Sequence, residues 1–144
     1  MTGGMVTEIY SNNMTGINIQ MPWSCLLISG IKCVETRSYP LPKKYEGIEL
    51  ALIETPGKSG KFKSRIIGTI TFSHSFQYPN EQAWIDDHNR HMVTKNDSDY
   101  TWKNNKPKYG WVVSQVYKFN KSILAPKNKG IIFTHGCITN KKAS

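Results

Sequence analysis

Three ionisable side chains close together in an otherwise apolar stretch are the residues best suited to chemistry in this sequence. Lys32, Glu35 and Arg37 fall within six residues of one another. Such side chains are seldom fully buried unless they are paired. An arginine on a strand offers a planar fork to phosphate or carboxylate, and a neighbouring glutamate can accept hydrogen bonds from an amino group. The segment therefore predicts either a structural ion pair or the floor of a binding site.

A short helix followed by a strand must position these three side chains. Pro22 suits the first position of a helix, and apolar residues repeat over 23–27 at the spacing of one helix face. Gly30 is suited to end that helix in a left-handed conformation. The following residues alternate with period two, which predicts that Glu35 and Arg37 point to the same side of a strand.

Two further groups offer alternative chemistry. Cys33 lies beside Lys32, whose charge would favour a thiolate, although a small apolar filler is the simpler interpretation. His88 and His91 lie three residues apart on a predicted helix, which is not the spacing of a zinc protease helix. We therefore predict no metal and no cofactor. A histidine of this helix could instead serve as an acid or base towards Lys32, and a solvated polar face is the plainer interpretation.

The strand and helix patterns predict an α+β fold. Asn80 is suited to cap a helix over 81–92. Strands are indicated by apolar or alternating segments at 17–20, 33–37, 48–53, 65–72, 111–119 and 131–133. Five or six strands with two or three flanking helices favour a small β-barrel. We expect a flexible tail over 1–13, a single domain over 14–138 and a basic tail over 139–144.

The net charge of +9 is unevenly distributed along the chain. Residues 1–56 carry −1 and residues 57–144 carry +10. A basic half with interleaved aromatic residues is typical of nucleic-acid binders, and a lysine-rich soluble surface is the alternative. The loop over 55–64 lacks the spacing of a triphosphate-binding loop. The predicted phosphate contacts are Lys58, Lys61, Lys63 and Arg65.

Composition also limits the cellular environment. No apolar run approaches the roughly 18 residues that a membrane span needs, and the N-terminus lacks the apolar core of a secretory signal. Three cysteines without metal spacing favour free thiols in a reducing compartment: Cys25, Cys33 and Cys137. We expect a cytoplasmic protein without a membrane partner, with a monomer favoured.

Four segments, taken in order, resemble the ASCH domain family, whose members are related to PUA domains and share a β-barrel with flanking helices. The segments are MPWSCLLISGIKCVETRSYPLP, IIGTITF, YGWVVSQVYKF and APKNKGIIF, within residues 17–134. The most specific part is the G-x-K-x-x-E-x-R element formed by Gly30, Lys32, Glu35 and Arg37. The resemblance implies a PUA-like barrel with a cleft beside this element.

The function implied by the resemblance is binding of RNA, another single-stranded nucleic acid or a modified nucleoside. The predicted ligand-binding residues are Trp23, Lys32, Glu35, Arg37, Ser38 and Tyr109. The alternative is a hydrolase, either a ribonuclease or an enzyme similar to acetylcytidine amidohydrolases, in which Lys32 would stabilise negative charge and Glu35 would act as general base. In those amidohydrolases a threonine nucleophile stands where this chain has Glu35, so binding is the favoured prediction. A protein-interaction module would need an exposed apolar patch.

Overall fold

Six strands, three short α-helices and one 3-10 helix make up the part of the chain that the computed structural model describes, residues 9–57, 60–97 and 99–142. The strands are β1 (Ile9–Gln20), β2 (Val34–Arg37), β3 (Glu49–Thr55), β4 (Arg65–Gln77), β5 (Tyr109–Leu124) and β6 (Phe133–Lys142). The helices are α1 (Trp23–Ile28), α2 (Glu81–Asp86) and α3 (His88–His91), and the 3-10 helix is Lys43–Tyr45. None of the helices in these ranges has the length and apolar character that a membrane crossing requires.

The strands form one mixed sheet in the order β2-β5-β4-β3-β1-β6. The predicted α+β class is confirmed. The predicted barrel is wrong for the described residues, because β2 and β6 are the two ends of this order and the sheet is not closed. Closure needs a ladder between the end strands, and none joins β2 to β6 in the described ranges.

The predicted helix over 81–92 begins as expected but is interrupted. Asn80 caps it, because its side-chain oxygen accepts a hydrogen bond of 2.9 Å from the backbone N–H of Ala83. The chain then leaves helical geometry at Asp87, which separates α2 from α3. The Asp87 carboxylate accepts hydrogen bonds from the Tyr78 hydroxyl at 2.5 Å and from Arg90 Nε at 2.7 Å. These bonds fix the Asp87 carboxylate between Tyr78 and Arg90 at the point where the helix is interrupted.

The chain divides into two compact units, each built from separate segments. Unit 1 consists of Met1–Ser24, Leu50–Thr69 and Lys118–Ser144, and unit 2 of Cys25–Glu49 and Ile70–Tyr117. In unit 1, β1 pairs in parallel with β3 and antiparallel with β6. β1 begins at Ile9, inside the segment expected to be a tail, and β6 continues to Lys142.

Each unit has its own buried apolar residues. The core cluster of unit 1 contains Ala51, Ile53, Ile66 and Cys137. A Cβ atom at Gly16 would lie 2.7 Å from Ile53 Cδ1, so a larger residue there would force the side chains of this cluster to shift. In unit 2 the fully buried apolar side chains include Leu27, Val34, Ile70, Phe72 and Trp111.

Candidate ligand-binding site

Lys32, Glu35 and Arg37 form a buried group of charges in unit 2. Glu35 Oε1 lies 3.6 Å from Lys32 Nζ, and Glu35 Oε2 lies 3.0 Å from Arg37 Nη2 and accepts a hydrogen bond of 3.1 Å from Arg37 Nε. The side chains are 1%, 8% and 19% exposed, respectively. Both oxygens of the carboxylate therefore face a cation, and the group carries one positive charge in excess.

Backbone hydrogen bonds of residues 32 and 33, just before β2, fix the position of Lys32. Gly30 has φ of +83°, as predicted for the left-handed end of a helix, and the N–H of Lys32 donates to the carbonyl of Leu26 at 2.9 Å. The next residue, Cys33, donates to the carbonyl of Arg90 at 2.9 Å and accepts from the N–H of Val113 at 3.0 Å. The Lys32 side chain reaches the backbone carbonyl of His91. Burial lowers the pKa of Lys32, and Glu35 opposes this shift.

Aromatic side chains hold the guanidinium of Arg37. Arg37 Nη1 donates to the Tyr39 hydroxyl at 3.1 Å, and the guanidinium carbon lies 5.7 Å from the centre of the Trp111 ring. Trp111 Nε1 donates to the backbone carbonyl of Tyr39 at 3.0 Å, and the two rings meet edge to face. In the β2–β5 ladder, Glu35 is paired with Trp111 and Arg37 with Tyr109. Arg37 is thus presented in one fixed orientation.

His91 is a buried residue, which differs from the polar surface position expected for this helix face. Its ring stacks on Trp84 at 4.8 Å between centres. Nδ1 accepts a hydrogen bond of 3.0 Å from the N–H of Val93, so Nε2 carries the proton and donates to the carbonyl of Trp84 at 2.6 Å. Burial lowers the pKa of His91 to about 4. The His91 ring is therefore neutral, and both of its nitrogens are hydrogen-bonded. This arrangement favours a structural role for His91 over a role as acid or base.

Lys108 is a further partly buried cation of unit 2, and the sequence analysis did not identify it. Lys108 Nζ lies 5.0 Å from the centre of the Trp84 ring and donates to the carbonyls of Tyr100 at 2.5 Å and Thr101 at 3.2 Å. Burial lowers the pKa of Lys108 to about 8, with smaller effects from Lys103 and Lys32. No local pattern identifies it, because its partners come from the preceding loop and from α2.

The other predicted ligand residues have different surroundings. Tyr109 is half-buried opposite Arg37, and Ser38 is exposed directly after β2. Trp23 lies in unit 1 and is 9% exposed. The rings of His88 and His91 are 5.9 Å apart, and the described residues contain no group of three or more His, Cys, Asp or Glu side chains placed to hold a metal ion.

The predicted phosphate contacts belong to unit 1. Lys61 and Lys63 are exposed, and Lys58 lies outside the described residues. Arg65 is paired with the buried Glu54, since Arg65 Nη2 lies 2.8 Å from Glu54 Oε1 and Nε donates to the same oxygen at 2.9 Å. Its guanidinium also covers the Phe62 ring at 4.2 Å.

Glu54 was not predicted as a structural residue. It is 2% exposed, and its second oxygen accepts a hydrogen bond of 2.7 Å from Ser24 Oγ. Alternation could not have marked it, because β3 is buried on both sides from Leu50 to Glu54.

The basic loop around residue 62 contacts the segment that follows β5. The Ser64 carbonyl accepts a hydrogen bond of 3.1 Å from the N–H of Ala125, and Lys129 Nζ donates to Ser64 Oγ. Six exposed lysines lie in these parts of unit 1: Lys61, Lys63, Lys118, Lys121, Lys127 and Lys129. The segments of unit 1 hold ten Lys or Arg and two Asp or Glu, a net charge of +8, whereas those of unit 2 hold nine and eight, a net charge of +1.

The fold is similar to that of solved ASCH structures. An ASCH protein from Zymomonas mobilis matches with a TM-score of 0.60 and 14% sequence identity, over 76% of this chain and 72% of that chain. A serine-to-alanine variant of the Zymomonas mobilis protein matches with a TM-score of 0.63 and 14% identity, over 84% of this chain and 86% of that chain. The resemblance to ASCH domains is thereby confirmed for the fold.

No family model matches the chain, and no curated protein matches it. A likeness at 14% identity carries the arrangement of strands and helices, so the roles of individual residues must rest on the geometry of this chain.

Proposed function

We propose that the protein binds RNA or another single-stranded nucleic acid. Unit 1 contacts the phosphates, and the group formed by Lys32, Glu35 and Arg37 in unit 2 binds a base or nucleotide. The observation that carries the proposal is the segregation of charge, because unit 1 holds +8 of the total +9. A concentrated basic surface is the electrostatic footprint of proteins that bind a polyanion. The ASCH-like fold agrees with it, since that family is generally associated with RNA.

The lysines of unit 1 are arranged to contact a phosphate backbone. Lys61, Lys63, Lys127 and Lys129 are exposed. Their two chain segments are joined through Ser64, which contacts both Ala125 and Lys129. Lysine contacts phosphate as a point charge and reads little sequence. We therefore expect affinity in unit 1 to depend on salt and only weakly on base sequence.

The charged group of unit 2 is suited to recognise a planar polar ligand. Tyr39 and Trp111 fix the Arg37 fork, and Tyr109 is its neighbour in the ladder. Ordered arginines and aromatic rings are the side chains on which proteins stack and bind unpaired bases. A modified nucleoside would bind through the same chemistry.

The hydrolase alternative finds less support in the geometry. A general base must have a carboxylate oxygen available to a water molecule. The two oxygens of Glu35 face Lys32 and Arg37, at 3.6 Å and 3.0 Å. Each carboxylate oxygen is thus already engaged by a cation, so this arrangement favours binding over hydrolysis.

Fluorescence anisotropy with a labelled single-stranded RNA at several salt concentrations tests the proposal. The double variant Lys61→Ala, Lys63→Ala should weaken binding and reduce the slope of log affinity against log salt by about 1.4, because each phosphate contact on a single strand contributes about 0.7. The matched control is Lys43→Ala, Lys44→Ala, an exposed lysine pair of unit 2 that should leave the slope unchanged. Absent binding, or equal effects of the two double variants, would refute the role of unit 1.

A further inference from the structure

Ile131 is an apolar side chain of unit 1 that is 97% exposed. Single exposed apolar residues are common on protein surfaces, so exposure alone says little. Ile131 differs from such residues because it lies on a turn that many hydrogen bonds hold in place. The turn leads into β6 and follows the basic segment that contains Lys127 and Lys129.

Asn18 of β1 and the buried Thr134 of β6 anchor this turn. Asn18 Nδ2 donates to the carbonyl of Gly130 at 2.7 Å, and the backbone N–H of Asn18 donates to the carbonyl of Ile132 at 2.9 Å. The Thr134 hydroxyl donates to Asn18 Oδ1 at 3.1 Å and accepts from the N–H of Gly130 at 3.2 Å. The backbone on both sides of Ile131 is thus fixed to two strands.

Gly130 is required for the close approach within the turn. A Cβ atom at this position would lie 1.9 Å from the backbone oxygen of Phe133, a contact that only a backbone shift could relieve. The chain therefore combines a conformation restricted to glycine with an exposed isoleucine at the next position. A rigid exposed residue loses little conformational entropy when a partner covers it.

The charge of the surroundings indicates the partner. Lys127 and Lys129 are exposed next to the turn, and the segments of unit 1 carry a net charge of +8. Such a surface is complementary to a polyanion, and it repels basic protein surfaces. A polyanion that also offers an apolar face to an isoleucine is a nucleic acid with unstacked bases.

We propose that the turn at 130–132 is a contact element for single-stranded nucleic acid, in which Ile131 packs on the face of an unstacked base and Lys127 and Lys129 contact the flanking phosphates. This inference rests on the proposed function and adds to it a site at which bases, and not only phosphates, are bound. A duplex does not offer the face of a stacked base, so the contribution of Ile131 is specific for single strands.

Anisotropy with a labelled RNA of about 12 nucleotides, single-stranded or annealed to its complement, tests this inference. Ile131→Ser should weaken single-strand binding by about five- to tenfold, because packing on one base face removes only roughly half of an isoleucine side chain from water. The salt slope should not change. Ile131→Leu should restore binding to within about twofold of the wild type, because it retains the apolar surface. Duplex binding should be the same for Ile131→Ser and the wild type.

Two control variants separate the apolar contact of Ile131 from the loss of any exposed isoleucine and from the loss of a phosphate contact. Ile48→Ser removes an isoleucine that is 48% exposed in unit 2, and single-strand affinity should stay within about twofold of the wild type. Lys129→Ala should lower the salt slope by about 0.7, a change that Ile131→Ser does not cause.

Several results would overturn the inference while leaving the proposed function intact: unchanged single-strand affinity of Ile131→Ser, an equal loss on the duplex, or an effect of Ile131→Ser confined to binding of anionic lipid vesicles. A wild-type protein that does not bind RNA would refute the proposed function itself and the inference with it. Thermal unfolding of each variant should match the wild type, since Ile131 and Ile48 are exposed.

Discussion

Replacing Glu35 with glutamine should destabilise the protein by about 3 kcal/mol at neutral pH. The substitution keeps the shape of the side chain and removes the charge that faces Lys32 at 3.6 Å and Arg37 at 3.0 Å. Breaking a buried ion pair by removing one partner costs about 3–5 kcal/mol, because the other charge stays buried without compensation. We take the lower end of this range because the Arg37 side chain is 19% exposed and reaches water.

The loss should become smaller as the pH rises. Burial lowers the pKa of Lys32 in the wild type, and Glu35 opposes that shift. Without the carboxylate, the pKa of Lys32 falls further below its ordinary value of 10.5. The unfolded chain then binds a proton that the folded chain holds less tightly, so the stability of the variant rises with pH up to that ordinary value. The deficit measured at pH 9.5 should therefore be smaller than at pH 7.

Urea unfolding followed by tryptophan fluorescence measures the effect, because Trp84 and Trp111 are buried. With a slope of about 1.5 kcal/mol per molar urea, the midpoint should fall by about 2 M. The control Glu81→Gln changes an exposed glutamate in the first turn of α2 and should cost at most about 1 kcal/mol.

A second substitution tests the reason for the loss. Adding Lys32→Met to Glu35→Gln removes one uncompensated cation, so the double variant should be more stable than Glu35→Gln alone. The reasoning is refuted if Glu35→Gln costs less than about 1 kcal/mol, or if Lys32→Met adds a further loss in that background.

Two other predictions concern unit 2. Because burial lowers the pKa of His91 from 6.5 to about 4, the unfolded chain takes up a proton before the folded chain does as the pH falls. Stability should decrease by up to about 3 kcal/mol between these values, and urea unfolding of His91→Gln should show a flatter pH profile. Gly110→Ala places a Cβ atom 2.7 Å from Phe76 and 2.9 Å from Val34, which should lower the urea midpoint through a loss of about 1–3 kcal/mol; an unchanged midpoint would contradict this packing.

Sequence patterns within a few residues correctly predicted the helix ends and the alternation along β2, because nearby residues determine these features. Gly30 ends the first helix with a positive φ, and Asn80 caps the second with its side chain. Period-two alternation placed Glu35 and Arg37 on the same side of β2, where they are paired. Each of these features depends on residues within about four positions of one another.

Features that depend on distant partners were not predictable in the same way. The pairing of β1 with β6 joins residues more than one hundred positions apart, and nothing in the polar segment 9–13 indicates that a partner strand exists. The burial of His91 depends on Trp84, Val93 and a helix that ends early at Asp87. Arg65 was predicted to contact phosphate because its sequence neighbours are basic, whereas Glu54, eleven residues away, is its partner in the fold.

The interleaving of the two units has a consequence for where along the chain each part of the proposed binding surface is encoded. Every residue of unit 2 lies before residue 118, whereas the third segment of unit 1 begins at Lys118. Six of the ten basic residues of unit 1 belong to that third segment. The group formed by Lys32, Glu35 and Arg37 and most of the charge of unit 1 therefore lie on different parts of the chain. Substitutions after residue 117 can change the charge of unit 1 without replacing any residue of unit 2.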